Sequence, residues 1–289
     1  MVPASRPPFL RHVAAQIHRW IGLVLAAYLL VLSVTGSLIV LRPQFHRWLT
    51  QPQLEVGVPL AGESREGALR RAYPGFVVES IRSPRRPDRP SIVVLNHDGK
   101  RAERLFDPYR GVDLGSAYPP ILKAVEWMVN LHDNLLGGRT GRMVNGVGGV
   151  ALTALVMTGL WVWWSGRGRW RNVVSTGRPA ISSVFARRLH VALGFWVSAM
   201  LLVWAVTAIY FAFPGLFDGL FDLLDADPDD DVRPGEQVLD GLIKLHFGRM
   251  GGMAGRTAWI VLGLLPAVLV VTGVMAWWLR RRRDAATVS

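Results

Sequence analysis

The chain has 289 residues, 51% of them apolar, with 12 Trp and a formal net charge of +12. Its apolar residues gather in four long blocks, which excludes an ordinary soluble domain, and its lack of cysteine excludes disulfides and Cys-ligated iron–sulfur clusters. The arginines crowd the edges of those blocks instead of one soluble surface, so the charge reads as membrane topology, with no nucleic acid as partner.

Residues 1–43 read as a short cytoplasmic lead and a first span, whose apolar block Ile21–Leu41 is long enough to cross about 30 Å of hydrocarbon. The block is too long for a signal-peptide core and no small-x-small cleavage site follows it, so a retained span is predicted. Residues 44–118 are expected to form an extracytoplasmic cap. Within it, Glu63–Tyr73 has helical spacing, Phe76–Ile81 and Ser91–Leu95 are β-branched runs, Asn96–Gly99 is a turn signal and Arg101–Asp107 alternates. One helix on a small antiparallel sheet is the expected outcome, too small for an independent catalytic core.

Residues 119–166 hold an amphipathic stretch, Pro119–Leu136, expected to lie along the outer interface, and a second span, Val144–Trp164. A basic cytoplasmic loop is expected over 167–188 and a third span (Val191–Phe213) within 189–214. Residues 215–256 form a second outer loop, where the acidic run Asp225–Asp231 reads as solvated and Gly235–Phe247 mirrors the first interfacial helix. Residues 257–289 hold the last span, Ala258–Leu279, and a basic tail. The fold class predicted is an all-α integral membrane protein with four transmembrane helices and a small α+β extracytoplasmic cap.

The lead, the 167–188 loop and the tail carry thirteen arginines against the single acid Asp284, whereas the other two loops balance twenty basic with twenty acidic residues. The positive-inside rule then places both termini and the middle loop in the cytoplasm.

The four spans also repeat. Aligned without gaps, residues 131–164 and 245–278 are identical at 14 of 34 positions, matching His132 to His246, Arg142 to Arg256, Thr158-Gly159 to Thr272-Gly273 and Trp163-Trp164 to Trp277-Trp278. His18 and His190 are each followed by Gly four residues on (Gly22, Gly194) and by Thr seventeen residues on (Thr35, Thr207). The expectation is two duplicated two-span halves, each with one histidine at either face of the membrane.

Two opposed imidazoles at each face are what a six-coordinate b-type haem requires, and with no cysteine a c-type attachment is excluded. The reading is two haems b, one held by His18 and His190 on the cytoplasmic side and one by His132 and His246 on the outer side. Gly22 and Gly194 lie one turn after their histidines, where a flat macrocycle approaches the backbone. Arg142 and Arg256 suit haem propionates or lipid headgroups. Other readings stay open at this point: interfacial polar groups or a metal or proton relay for the histidines, close helix packing for the small residues, topology anchoring for the arginines. His46 is the alternative outer ligand, while His12, in the lead, reads as exposed and His97 lies in a turn.

IHRWIGLVLAAYLLVLSVTGSLIVLRP resembles the opening span of the PepSY-associated transmembrane proteins, a bacterial inner-membrane family. LH…GG..GR…TGLWVWW and RLHVALGFW resemble its later spans, and FDPYRGVDLG resembles the end of a PepSY module. That resemblance implies similarity to di-haem reductases of ferric siderophores, with His18, His132, His190 and His246 as haem ligands and location in the bacterial inner membrane. The lipid bilayer, a ferric siderophore or other ferric chelate, and a cytoplasmic, flavin or quinol electron donor are the partners expected, since no Rossmann or Walker sequence is present. The rival reading is a membrane-anchored PepSY-type regulatory or binding module without redox activity. A transporter subunit is disfavoured by the lack of intramembrane acids.

Overall fold

A computed structural model describes residues 9–56, 64–166, 183–224, 234–249 and 251–286. The acidic run Asp225–Asp231 and the arginines of the lead and middle loop at 6, 167, 169, 171 and 178 lie outside the described residues. The chain divides into two compact units, residues 41–128 and the remainder.

The larger unit is built on four long helices: α1 (Phe9–Ile39), α5 (Gly138–Trp164), α6 (Ser183–Ala212) and α9 (Gly252–Ala286). Each is long and apolar enough to cross a membrane. The helices begin earlier than the apolar blocks because flanking polar residues such as Arg11, His18 and Arg142 continue the first turns. Neighbours pack in a ring, α1 on α5, α5 on α6, α6 on α9 and α9 back on α1, so α1 and α6 lie on one diagonal. Val156, Val197, Leu201 and Leu269 form its apolar centre.

Polarity runs inside-out. Large apolar side chains face outward, Val24 at 79% and Trp196 at 80% exposure, while Ser33, Thr35, Ser37, Asn145, Thr207 and Thr272 are buried. Lipid solvates the first group as well as a core would, so close packing and buried hydrogen bonds hold the helices together. Ser33 shows how. Its Oγ donates to the Gly263 carbonyl at 2.5 Å and accepts from the Ala267 N–H at 3.1 Å, bridging the rung of the α9 ladder beside Pro266.

Two shorter helices of this unit, α7 (Pro214–Leu224) and α8 (Pro234–His246), lie between the third and fourth spans. α4 (Pro120–Asn134) precedes α5 and carries His132 near its end; α8 ends on His246. Both are the amphipathic helices expected from the sequence. α7 was not expected, because its Pro-Gly start and second glycine read as loop.

The smaller unit contains α2 (Arg42–Thr50), α3 (Arg65–Ala72) and four strands, β1 (Val77–Arg82), β2 (Ser91–His97), β3 (Lys100–Asp107) and β4 (Val112–Ser116), paired antiparallel in chain order. Ser64 caps α3, its Oγ accepting from the Gly67 N–H. Ala68, Leu69 and Tyr73 then pack on Val93, Leu95 and Phe106 of the sheet. The β2–β3 hairpin closes on Asp98 and Gly99, both at positive φ, as an Asp-Gly turn requires. The Asp107 carboxylate accepts from the backbone N–H groups of Tyr109 and Arg110 and turns the chain into β4. The helix-on-sheet unit is as expected; β4 and α2 are additions, one a five-residue edge strand containing Gly115, the other a short helix entered through Pro43.

Candidate functional site: two facing histidine pairs

His18 projects from α1 and His190 from α6, across the diagonal of the ring, with imidazole centroids 6.1 Å apart. His132 and His246, from the helices that precede α5 and α9, form a second pair with centroids 6.4 Å apart. His132 reaches Thr35, and Thr35 lies seventeen residues after His18 on α1. At about 1.5 Å per residue the pairs are therefore separated by about 25 Å along the bundle, close to the thickness of the hydrocarbon.

Each imidazole is held through Nδ1. His18 Nδ1 lies 2.9 Å from the Leu155 carbonyl and 3.5 Å from Thr158 Oγ1. His190 repeats this, 2.9 Å from the Leu269 carbonyl and 3.3 Å from Thr272 Oγ1. His132 Nδ1 is 3.1 Å from Thr35 Oγ1, and His246 Nδ1 is 2.5 Å from Thr207 Oγ1. The tautomer follows from the partners. All four threonine hydroxyls donate to the carbonyl four residues back, at 2.7 Å in each case, to Ala154, Val268, Val31 and Val203. With its proton committed there, the hydroxyl accepts, and a carbonyl only accepts. Nδ1 must carry the hydrogen, leaving the Nε2 lone pair free. A ring N–H held by a carbonyl or hydroxyl is also the arrangement that orients a metal-binding histidine.

Glycines seat three of the four rings. A Cβ on Gly159 would fall 2.8 Å from His18 Cε1, on Gly36 2.7 Å from His132 Cε1, and on Gly273 3.0 Å from His190 Cε1. The fourth Thr is followed by Ala208, and there His246 instead meets Phe211 and Phe247 edge-on. Gly22 and Gly194 are roomier. A Cβ there would meet only Leu155 Cδ1 at 3.5 Å and Leu269 Cδ2 at 3.8 Å, ordinary contacts with flexible side-chain ends.

Burial lowers the pKa of His132, partly opposed by the Leu32 carbonyl and Asp133. Burial, with His132 adding to it, pushes His246 down to about 3. Both rings are neutral at pH 7, as a metal ligand must be. No cluster of three or more His, Cys, Asp or Glu suited to a bare metal ion occurs among the described residues. Each close pair has two imidazole nitrogens to offer a metal whose other ligands come from elsewhere.

The remaining candidates separate. Arg142 is paired with Asp133, and Arg256 donates to the Val40 carbonyl at 2.9 Å. His46 turns back onto Thr50 of its own helix, its Nδ1 3.0 Å from Thr50 Oγ1. His97 Nδ1 bonds the Gly75 carbonyl, and His12 bonds Gln16.

Two side chains passed over in the sequence also act at the second pair. Asn145 Nδ2 donates to the carbonyls of His132 and Asp133, both at 2.8 Å. Trp259 Nε1 donates to the Leu245 carbonyl at 2.6 Å. The two occupy equivalent positions in the repeat, but their identities differ, so a comparison by identity skips them.

No curated protein matches the chain. Residues 15–233 and 222–280 match the family model of the PepSY-associated TM region, and the chain, with four helices able to span a membrane, belongs to that family.

Proposed function

We propose that this protein is a b-type di-haem protein of the bacterial inner membrane, passing electrons from the cytoplasmic side to a ferric complex, such as a ferric siderophore, outside. The observation that carries the reading is the spacing of the two histidine pairs. Two imidazoles bound through Nε2 to opposite faces of one iron, each at about 2 Å and with about 1.1 Å from nitrogen to ring centre, have centroids about 6.2 Å apart. The pairs stand at 6.1 and 6.4 Å. Four fixed Nδ1–H tautomers leave four Nε2 nitrogens available as ligands.

His18 and His190 would hold the haem nearer the arginine-rich ends of the spans, His132 and His246 the other. When bound, haem supplies reversible one-electron transfer. The chain's own part would be to fix the four imidazoles through Nδ1, present their Nε2 nitrogens to the iron and bury them. By the positive-inside rule His18 and His190 would lie toward the cytoplasm and the residue 44–118 cap outside, and a ferric chelate would then be met on the outer side. A ferric ion that gains one electron binds hard oxygen ligands less tightly and is released. The electron comes from a reduced flavin, a quinol or a partner protein. Four imidazoles in equivalent seats also weigh against a plain anchor for the cap, which would have no use for them.

The test is direct electron transfer. Purified protein, reduced anaerobically, is mixed with a ferric hydroxamate and a ferrous-selective chromophore. Reoxidation with stoichiometric ferrous iron supports the proposal; a reduced protein indifferent to every ferric chelate offered contradicts its substrate.

A further inference from the structure

We infer that Asn145 and Trp259 are positioning residues for the outer histidine pair, two different side chains performing one task at equivalent places in the two halves. The inference rests on the haem reading above. Both residues stand seven positions into the span helix that follows a histidine-bearing helix, α5 after α4 and α9 after α8. Both donate a side-chain N–H to the backbone at the end of that preceding helix.

In the first half the clamp is a polar chain. α4 ends in a tight turn in which Leu135 and Leu136 both adopt positive φ, costly for leucine. That turn leaves the His132 and Asp133 carbonyls without the usual continuation of the helix, and the buried Asn145 amide takes both. The Asn145 Oδ1 in turn accepts from Tyr28 Oη at 3.2 Å. Gly148 leaves the space for that hydroxyl; a Cβ there would collide with it. Asn145 thus ties the His132 backbone to α1, the helix whose Thr35 holds the His132 ring.

In the second half a single aromatic replaces the chain. The Trp259 ring lies against Gly248, which has a φ of +59° and no room for a Cβ, and its N–H reaches the Leu245 carbonyl next to His246. The histidine backbone is pinned at one end by the indole and its ring at the other by Thr207. Among the described residues neither clamp has a counterpart at His18 or His190, which sit within continuous helix and need no external hold on their backbone. The consequence is selective: disturbing either clamp moves one axial nitrogen of the outer pair and leaves the inner pair alone.

Trp259→Phe removes the N–H while keeping a smaller aromatic ring; Asn145→Leu removes the amide at similar size, and Asn145→Gln retains it. The measurements are haem per chain, and low-temperature EPR and reductive titration of each haem in the intact protein. Outer-shell partners of a metal-binding histidine are worth about 10- to 100-fold in retention. Trp259→Phe and Asn145→Leu are expected to shift the EPR signal and midpoint of the haem lost in His132→Ala, and to weaken its retention by about that factor. The haem lost in His18→Ala stays unchanged, and Asn145→Gln recovers part of the signal. Equal disturbance of both haems in the Phe and Leu variants, or none, overturns the positioning role while the di-haem reading stands. A wild-type protein without haem removes the reading itself.

Discussion

Gly159 sets the position of the His18 ring, and Gly159→Ala tests how tightly. The added Cβ would lie 2.8 Å from His18 Cε1 and 3.1 Å from Nδ1. Carbon contacts settle at about 3.5–4.0 Å, so the ring must withdraw by about 0.7–1.2 Å. Leu155, whose carbonyl holds Nδ1 at 2.9 Å, lies one turn before Gly159 on the same face of α5, so the withdrawal also stretches that bond beyond hydrogen-bonding range. Overpacking costs about 1–3 kcal/mol and the lost hydrogen bond about 0.5–1.5 kcal/mol. Together, about 1.5–4.5 kcal/mol at the inner pair corresponds to weakening of a histidine ligand by about 10- to 1,600-fold. The assay is haem per chain with the reduced-minus-oxidised spectrum, beside Gly219→Ala in α7, where an added Cβ meets nothing within 4 Å. Gly159→Ala is expected to lose the inner haem and keep the outer; Gly219→Ala keeps both. A Gly159→Ala protein with both haems, each with wild-type bands and potential, refutes the packing argument.

The threonines should differ in weight. Thr158→Val and Thr272→Val leave the Leu155 and Leu269 carbonyls in place and are expected to change haem retention less than about threefold. Thr207→Val removes the hydroxyl at 2.5 Å from His246 Nδ1 and is expected to weaken retention at the outer pair by about 10-fold or more, read by competition with apomyoglobin. In the residue 41–128 unit, burial works against the Asp113 charge, but hydrogen bonds from Arg104, the Gly115 N–H and Tyr73 outweigh it and lower its pKa. Tyr73 is raised by burial and by Asp113. A lowered carboxyl stabilises above its unfolded pKa of about 3.9 and loses that contribution as pH falls through the folded value; a raised phenol stabilises below about 10 and loses it as pH climbs. Hydrogen exchange of the 77–116 peptides in the full chain should show protection flat from about pH 5 to 9 after correction for intrinsic rates and falling beyond both ends, with the acid limb reduced in Asp113→Asn and the remainder due to the lowered Glu79 and Asp88 carboxyls.

The spans, and the four histidines that the fold brings together in two pairs, were legible because lipid imposes a long, charge-free run and because the repeat makes isolated histidines stand out. The threonines were legible as recurring positions, and the structure gives the reason: Thr35 and Thr158 stand at opposite ends of neighbouring helices, and each holds the histidine at its end. What the sequence concealed depends on backbone or on unlike residues. The Leu155 and Leu269 carbonyls carry no side-chain signature. Asn145 and Trp259 share a position and an N–H but no resemblance. Gly36, Gly159 and Gly273 read as packing glycines, and only the ring against each shows why a Cβ is excluded. Arg142 and Arg256 match in sequence yet meet different partners, Asp133 and the Val40 carbonyl, because recurring letters do not ensure recurring contacts. Short elements such as β4 and α7 escaped because glycine and proline within them mimic loops.

The central claim is that two facing histidine pairs each hold one haem. The protein purified in mild detergent from haem-replete cells, with a pyridine haemochrome count and an optical spectrum before and after dithionite, addresses it most directly. The account predicts b-type bands at close to two haems per chain, falling to one in His18→Ala and, separately, in His132→Ala. A colourless protein, or a haem content unmoved by either substitution, would contradict it.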